Sequence, residues 1–171
     1  MILGIDPGPE EHGYVVLDAL RWRVVAAGIS GDMKMINGTA LAAGVLEAVV
    51  EEIAPQGQVL SYALRNTILQ RARIEDALTQ RFKVHLVTRN QVRLLLLGRG
   101  NGTETQVNAA LLARYCERHG CTNRHQLRGS LKTPGALWGV RSHVWAALAL
   151  CEVVMSWQPQ QEGAGALPLQ T

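Results

Sequence analysis

The sequence predicts an α/β fold: a five-stranded mixed sheet, three antiparallel strands followed by parallel ones, flanked by helices. Two observations carry that reading. The first thirty residues hold three short apolar runs separated by turn residues, the pattern of an antiparallel meander. Over the next sixty, apolar positions at helical spacing alternate with strand-like runs, and that alternation favours parallel pairing through right-handed crossovers. With 171 residues, 47% hydrophobic and 18% charged, the chain is long enough to bury a core and too apolar to be disordered over most of its length.

The first strand is Ile2, Leu3 and Ile5, closed by Asp6. Pro7-Gly8-Pro9 removes two backbone donors, so pairing stops there and resumes with Tyr14, Val15, Val16 and Leu17. A third strand covers 23–29 and ends in a glycine-containing turn. Leu41, Val45, Val49 and Ile53, with Leu46 beside them, recur at helical spacing and predict a helix over 38–54, ended by Pro55. A fourth strand is predicted over 59–64, a second helix over 67–82, a fifth strand over 84–87 and a short helix over 90–97. After the loop 98–104, Val107, Leu111 and Tyr115 mark a helix ending near Gly120. The stretch 121–139 is polar and irregular. Ser142 reads as an N-cap, and Val144, Leu148, Cys151 and Met155 place one stripe on a last helix running to about Trp157. These elements make one domain over 1–157, followed by a tail, 158–171, whose composition predicts mobility.

Composition also bounds the setting. No apolar run reaches the roughly 20 residues needed to span a bilayer, and the apolar start lacks a signal peptide's basic flank and cleavage site, so a cytoplasmic protein is expected. Cys116, Cys121 and Cys151 lack zinc-ligand spacing and read as reduced thiols. The net charge is only +3, but the basic residues are unevenly placed. Arg65, Arg71, Arg73, Arg81, Lys83, Arg89, Arg93 and Arg99 are opposed, over that stretch, only by Glu75 and Asp76. Such a run suits a phosphate backbone, and it suits a solvated helix face as well. Arg65, Arg71, Arg73, Arg89, Arg93, Arg99 and, further on, Lys132 are the DNA-binding candidates. Asp6 is the leading functional candidate, because a carboxylate directly after a buried strand needs a cation to compensate it. It would also serve as a cap on the Pro-Gly turn.

Three stretches carry a family resemblance. Ile2-Leu3-Gly4-Ile5-Asp6-Pro7-Gly8 followed by Gly13-Tyr14-Val15-Val16 resembles the opening of RuvC-type Holliday junction resolvases, which have a ribonuclease H-like fold. Val87-Thr88-Arg89-Asn90-Gln91-Val92-Arg93 with Gly98 resembles their basic helix and glycine loop. The stretch from Pro134 to Ala149 resembles the last motif of a phage-type branch. The resemblance implies a homodimeric endonuclease that binds four-way DNA junctions and cuts them with magnesium or manganese. Asp6 matches the first metal-binding carboxylate, and His143 a histidine found in some members at the start of the last helix. The resemblance thus makes Asp6 and His143 the candidate catalytic and metal-binding residues. A helix start also disfavours imidazolium, so a neutral His143 would suit a ligand or proton carrier near pH 7.

Two departures weigh against cleavage. The resemblance expects a glutamate at the end of the fourth strand, where the predicted strand offers only Ser61 or Arg65, and an aspartate at position 146, which is alanine. Glu152 falls about 180° round the last helix from His143, and Glu104, just before a helix, is the remaining acid of interest. Two divalent ions bring about +4, against about −1 from Asp6 and a neutral histidine. The expectation is therefore a RuvC-like protein that binds branched DNA through a degenerate site, with cleavage weak or lost. Mg or Mn would be its cofactor if active. The alternatives are an active junction endonuclease, or a structural subunit that uses the fold to bind another protein.

Overall fold

A computed structural model describes residues 1–53 and 60–157. The predicted tail, 158–171, lies outside the described residues. The sheet is built from β1 (Ile2–Asp6), β2 (His12–Asp18), β3 (Arg23–Ser30), β4 (Glu47–Glu52) and β5 (Lys83–Thr88), in the order β3-β2-β1-β4-β5. β1, β2 and β3 pair antiparallel, whereas β4 joins β1 and β5 joins β4 in parallel. The five-stranded mixed sheet expected from the sequence is thus the one observed.

Its strand and helix boundaries differ from expectation at one place of consequence. The predicted helix over 38–54 is two elements: α1 (Met33–Ala42), capped by the Asp32 carboxylate, and the strand β4. Gly44 separates them at φ 71°, a conformation that ends a helix and costs glycine nothing. From Ala48 to Glu51 every residue of β4 is buried, so its apolar run is continuous rather than alternating, as in strands covered on both faces. Helical and buried-strand patterns coincide in such a run. The predicted fourth strand over 59–64 is corrected in turn: Ser61 caps α2 (Tyr62–Thr79) by accepting from the Leu64 amide, and 54–59 lie outside the described residues.

Side chains alternate across the sheet and fill two cores. Leu3, Ile5, Val16, Ala48 and Val50 face α1 and α2, where Ile36, Ile74 and Leu78 are fully buried. Ile2, Val15, Leu17 and Val49 face the other side, which carries α3 (Arg89–Leu97), α4 (Glu104–His119), the short α5 (Arg124–Arg128) and α6 (Val144–Trp157). α6 lies directly on β1 and β2, and from Val144 to Val154 every residue but Ala146 is buried, so it is a helix apolar nearly all round rather than one with a single stripe. Close approach is made possible by glycine: a Cβ on Gly4 would sit 2.3 Å from the Ala147 carbonyl oxygen and 2.7 Å from Cys151 Sγ. Ser142 stands at φ 45°, outside the extended region an N-cap adopts, and α6 is entered through tight turns, with the Trp145 amide bonded to the Ser142 carbonyl. Among the described residues no helix is long and apolar enough to cross a membrane.

α6 also buries a carboxyl group. Glu152 is 1% exposed, its nearest cation is Arg114 at 3.8 Å, and neither of its oxygens has a hydrogen bond of ordinary geometry. Burial raises its pKa to about 7, against the opposing pull of Arg114, the Tyr115 hydroxyl and Arg118. An acid whose folded pKa is raised loses stability as pH climbs from its unfolded value, near 4.5, to its folded one, because only the unfolded chain ionises it freely. Glu152→Gln should therefore flatten the fall in stability between pH 5 and 7.5, with a gain of up to about 3 kcal/mol at the upper end, measured by urea unfolding.

Candidate functional site

The parallel pairing of β1 with β4 sets Ile5 opposite Val50, so the next residues, Asp6 and Glu51, leave the sheet side by side. Both lie in the alternation of the α6-facing core, in step with Ile2 and Gly4 on one strand and Val49 on the other. Asp6 is 4% exposed and Glu51 is 4% exposed. From the other side, β2 places Gly13 opposite Asp6, and Gly13 receives the backbone of His143 where a Cβ would come within 2.7 Å of its carbonyl. His143 thereby reaches Asp6, with Nδ1 3.3 Å from Oδ2. The two residues singled out from the sequence are neighbours.

The acid found missing from the sequence pattern is Glu51. It stands at the end of the fourth strand beside the first, where the sequence reading offers only Ser61 or Arg65, because β4 is Glu47–Glu52. Gly44 was the signal available in the sequence. Glu104, the first residue of α4, lines the same cleft, where a carboxylate also complements the helix N-terminus. Ala146 lines it too, and Glu152 does not.

Two carboxyl groups at hydrogen-bonding range in a dry setting cannot both stay charged cheaply. Asp6 has its pKa raised to about 8, first by burial, then by its hydrogen bond with Glu51 and the Glu51 charge, while Arg89 pulls it down and Glu104 adds to the rise. Arg89 begins α3, next to the Thr88 cap and its Gln91 capping box. Its Nε donates to Glu51 Oε1, its Nη2 to Oε2 at 3.3 Å, and its Nη1 lies 3.7 Å from Glu104 Oε1. The cleft so formed encloses about 360 Å³, and Arg93 and Asn108 share its wall.

The remaining basic candidates are spread more widely. Arg65 is exposed in the first turns of α2, whose far end leads directly into β5, so its start lies toward the sheet end that carries Asp6. Arg71 pairs with Glu75 at 3.0 Å, and Arg73 is exposed on the same helix, across the sheet from the cleft. Arg99 is exposed in the loop after α3. Lys132 sits in the turn held by Ser130 and Thr133, near Pro134, whose carbonyl accepts from Arg23. Arg23 pairs with Asp18 at the opposite end of the sheet from Asp6.

Among the described residues no three His, Cys, Asp or Glu side chains are already gathered as a metal cage. The donor set nonetheless fits magnesium or manganese. Such ions are commonly held by one or two carboxylates plus waters and substrate phosphate rather than by a closed protein shell. Asp6 and Glu51 would supply those carboxylates, and His143 an imidazole beside them.

No protein-family model matches the chain, and no curated protein matches it in sequence. Solved structures match it in fold. The structure of RuvC from Thermus thermophilus superposes with a TM-score of 0.52 at 17% identity, covering 89% of this chain and 91% of that one. The fold is RuvC-like. A second structure, T. thermophilus RuvC in complex with a Holliday junction substrate, gives a TM-score of 0.52 at 20% identity, with 89% of this chain and 90% of that one covered. In this RuvC-like fold the acidic cleft lies at the C-terminal edge of β1 and β4.

Gly13 is the residue that lets His143 approach. Gly13→Ala should displace the imidazole and cost about 1–3 kcal/mol, whereas Gly28→Ala, which meets only the Tyr14 ring at 3.0 Å, should cost less. Thermal unfolding of the two variants, with the His143 ring signals followed by NMR, checks this.

Proposed function

We propose that this chain is a metal-dependent endonuclease acting on branched DNA, in which Asp6 and Glu51, with His143 beside them, hold a divalent magnesium or manganese ion. The observation that carries the reading is the pair of buried, adjacent carboxyl groups at the strand ends, facing a cleft with arginines on its wall. Like charges so placed are stabilised by a bound cation, and an arginine-lined cleft attracts phosphate. The neighbouring fold of a RuvC in complex with a Holliday junction supports a branched-DNA substrate.

A divalent ion bound there would supply Lewis-acid polarisation of a phosphodiester and a water made acidic enough to attack it. The protein's part is to hold Asp6 and Glu51 in register through the β1–β4 ladder. His143, exposed on the cleft side of Asp6, is positioned to accept a proton from water or to return one to a leaving oxygen. Arg93 would fix the DNA backbone, with Arg89, Arg65 and Arg99 extending the basic surface and Arg71, Arg73 and Lys132 further from the cut. On a four-way junction two copies of the chain would act together. With Ala146 in the cleft, the carboxylate charge suits one ion better than two.

Incubation with a four-way junction in manganese or magnesium should give cleavage, and Asp6→Asn or Glu51→Gln should lower its rate about a hundredfold or more while junction binding persists. A second reading, a junction binder that does not cut, is favoured by Ala146 and by the hold of Arg89 on Glu51. Binding that weakens steeply with salt, without cleavage in either metal, would establish it instead.

A further inference from the structure

The sharpest conflict with local rules in the cleft is Arg89. A cation in the first turn of a helix opposes the helix dipole, yet Arg89 is the first residue of α3. What holds it there is acidic: both oxygens of Glu51 are engaged by its guanidinium, and Glu104 stands at 3.7 Å. The Glu51 side chain is 5% exposed, so without a metal it needs another positive partner. The Arg89 side chain is 58% exposed and that of Glu104 82%, so the guanidinium has room to move outward.

We propose that Arg89 is a built-in counter-ion: it occupies the cation-facing side of Glu51 in the metal-free protein, is displaced when a divalent ion binds, and is then received by Glu104 at the cleft rim. The inference rests on the reading of Asp6 and Glu51 as metal ligands. Because both Glu51 oxygens are committed to Arg89, metal and guanidinium compete for the same atoms. Exchange replaces one positive charge by two beside two carboxyl groups, and it frees a side chain suited to a phosphate at the moment the ion arrives.

The test is manganese binding to the full chain, by titration calorimetry and by the EPR signal of free Mn²⁺, with no DNA present. Arg89→Met should tighten binding about tenfold, the worth of one lost charge-assisted contact, and Arg89→Lys, which keeps the charge but loses the two-oxygen fork, should fall between the two. Glu104→Gln should weaken binding several-fold in the wild-type background and have no effect beside Arg89→Met, a coupling that a Glu104 acting directly as ligand would not give. If Asp6→Asn abolishes manganese binding but Arg89→Met leaves it unchanged or weaker, the counter-ion role is wrong and the metal centre stands. If neither the wild type nor Arg89→Met binds manganese at millimolar concentration, the metal-site reading fails and this inference with it. Should Arg89→Met not fold by circular dichroism, the Glu104→Gln arm decides, and unchanged affinity there overturns the proposal.

Discussion

The parallel ladder between β1 and β4 fixes the site, because its register sets two acids next to each other where the strands end. Neither strand has freedom to slip. A shift of one residue would turn Val49 and Asp6 into the α1 and α2 core and bring Val50 and Ile5 out of it. The energy holding Asp6 against Glu51 therefore comes from apolar burial elsewhere in the sheet. Fully buried Leu3, Ile5, Ala48 and Val50 offset the cost of holding two carboxyl groups away from water.

The helix layer completes the arrangement through contacts that depend on missing side chains. Gly4 and Gly13 let α6 lie against the sheet closely enough for the His143 backbone to rest over β2, and from there the imidazole meets Asp6. On the other flank, Thr88 ends β5 and caps α3, so the first residue of that helix, Arg89, emerges above Glu51. Asp6, Glu51, Arg89 and Glu104 are thus each set by a strand end or a helix start. Such positions are held more firmly than loop positions.

Much of this was legible in the sequence, and the failure has a physical cause. The hairpin around Pro7-Gly8-Pro9, the strand before the basic helix and the apolar last helix all carry local signals that agree with their tertiary role. β4 does not. A strand covered on both faces loses the alternation that identifies strands, and Val45, Val49 and Ile53 then mimic a helical stripe. That single misreading moved the fourth strand past Pro55 and left its end without an acid, so a complete pair of carboxylates looked like half of one. Arg89 was legible as a DNA-binding candidate but not as the partner of Glu51, because the two are 38 residues apart and meet only through the β4–β5 pairing.

Charge balance then limits what the proposed centre can hold. Asp6 and Glu51 face the cleft from within the protein, Glu104 adds a solvent-exposed carboxylate at its rim, and Arg89 pairs with both Glu51 and Glu104. A screened carboxylate at the rim contributes less than a buried one, so the effective field matches a single divalent ion. An aspartate at position 146 would have changed that sum, since Ala146 faces the same cleft one turn along α6 from the His143 end. On the proposed reading, then, the site of this chain differs from a two-ion centre in the number of ions it can carry rather than in whether it carries one, and the second charge on a cleaved phosphate falls to arginine.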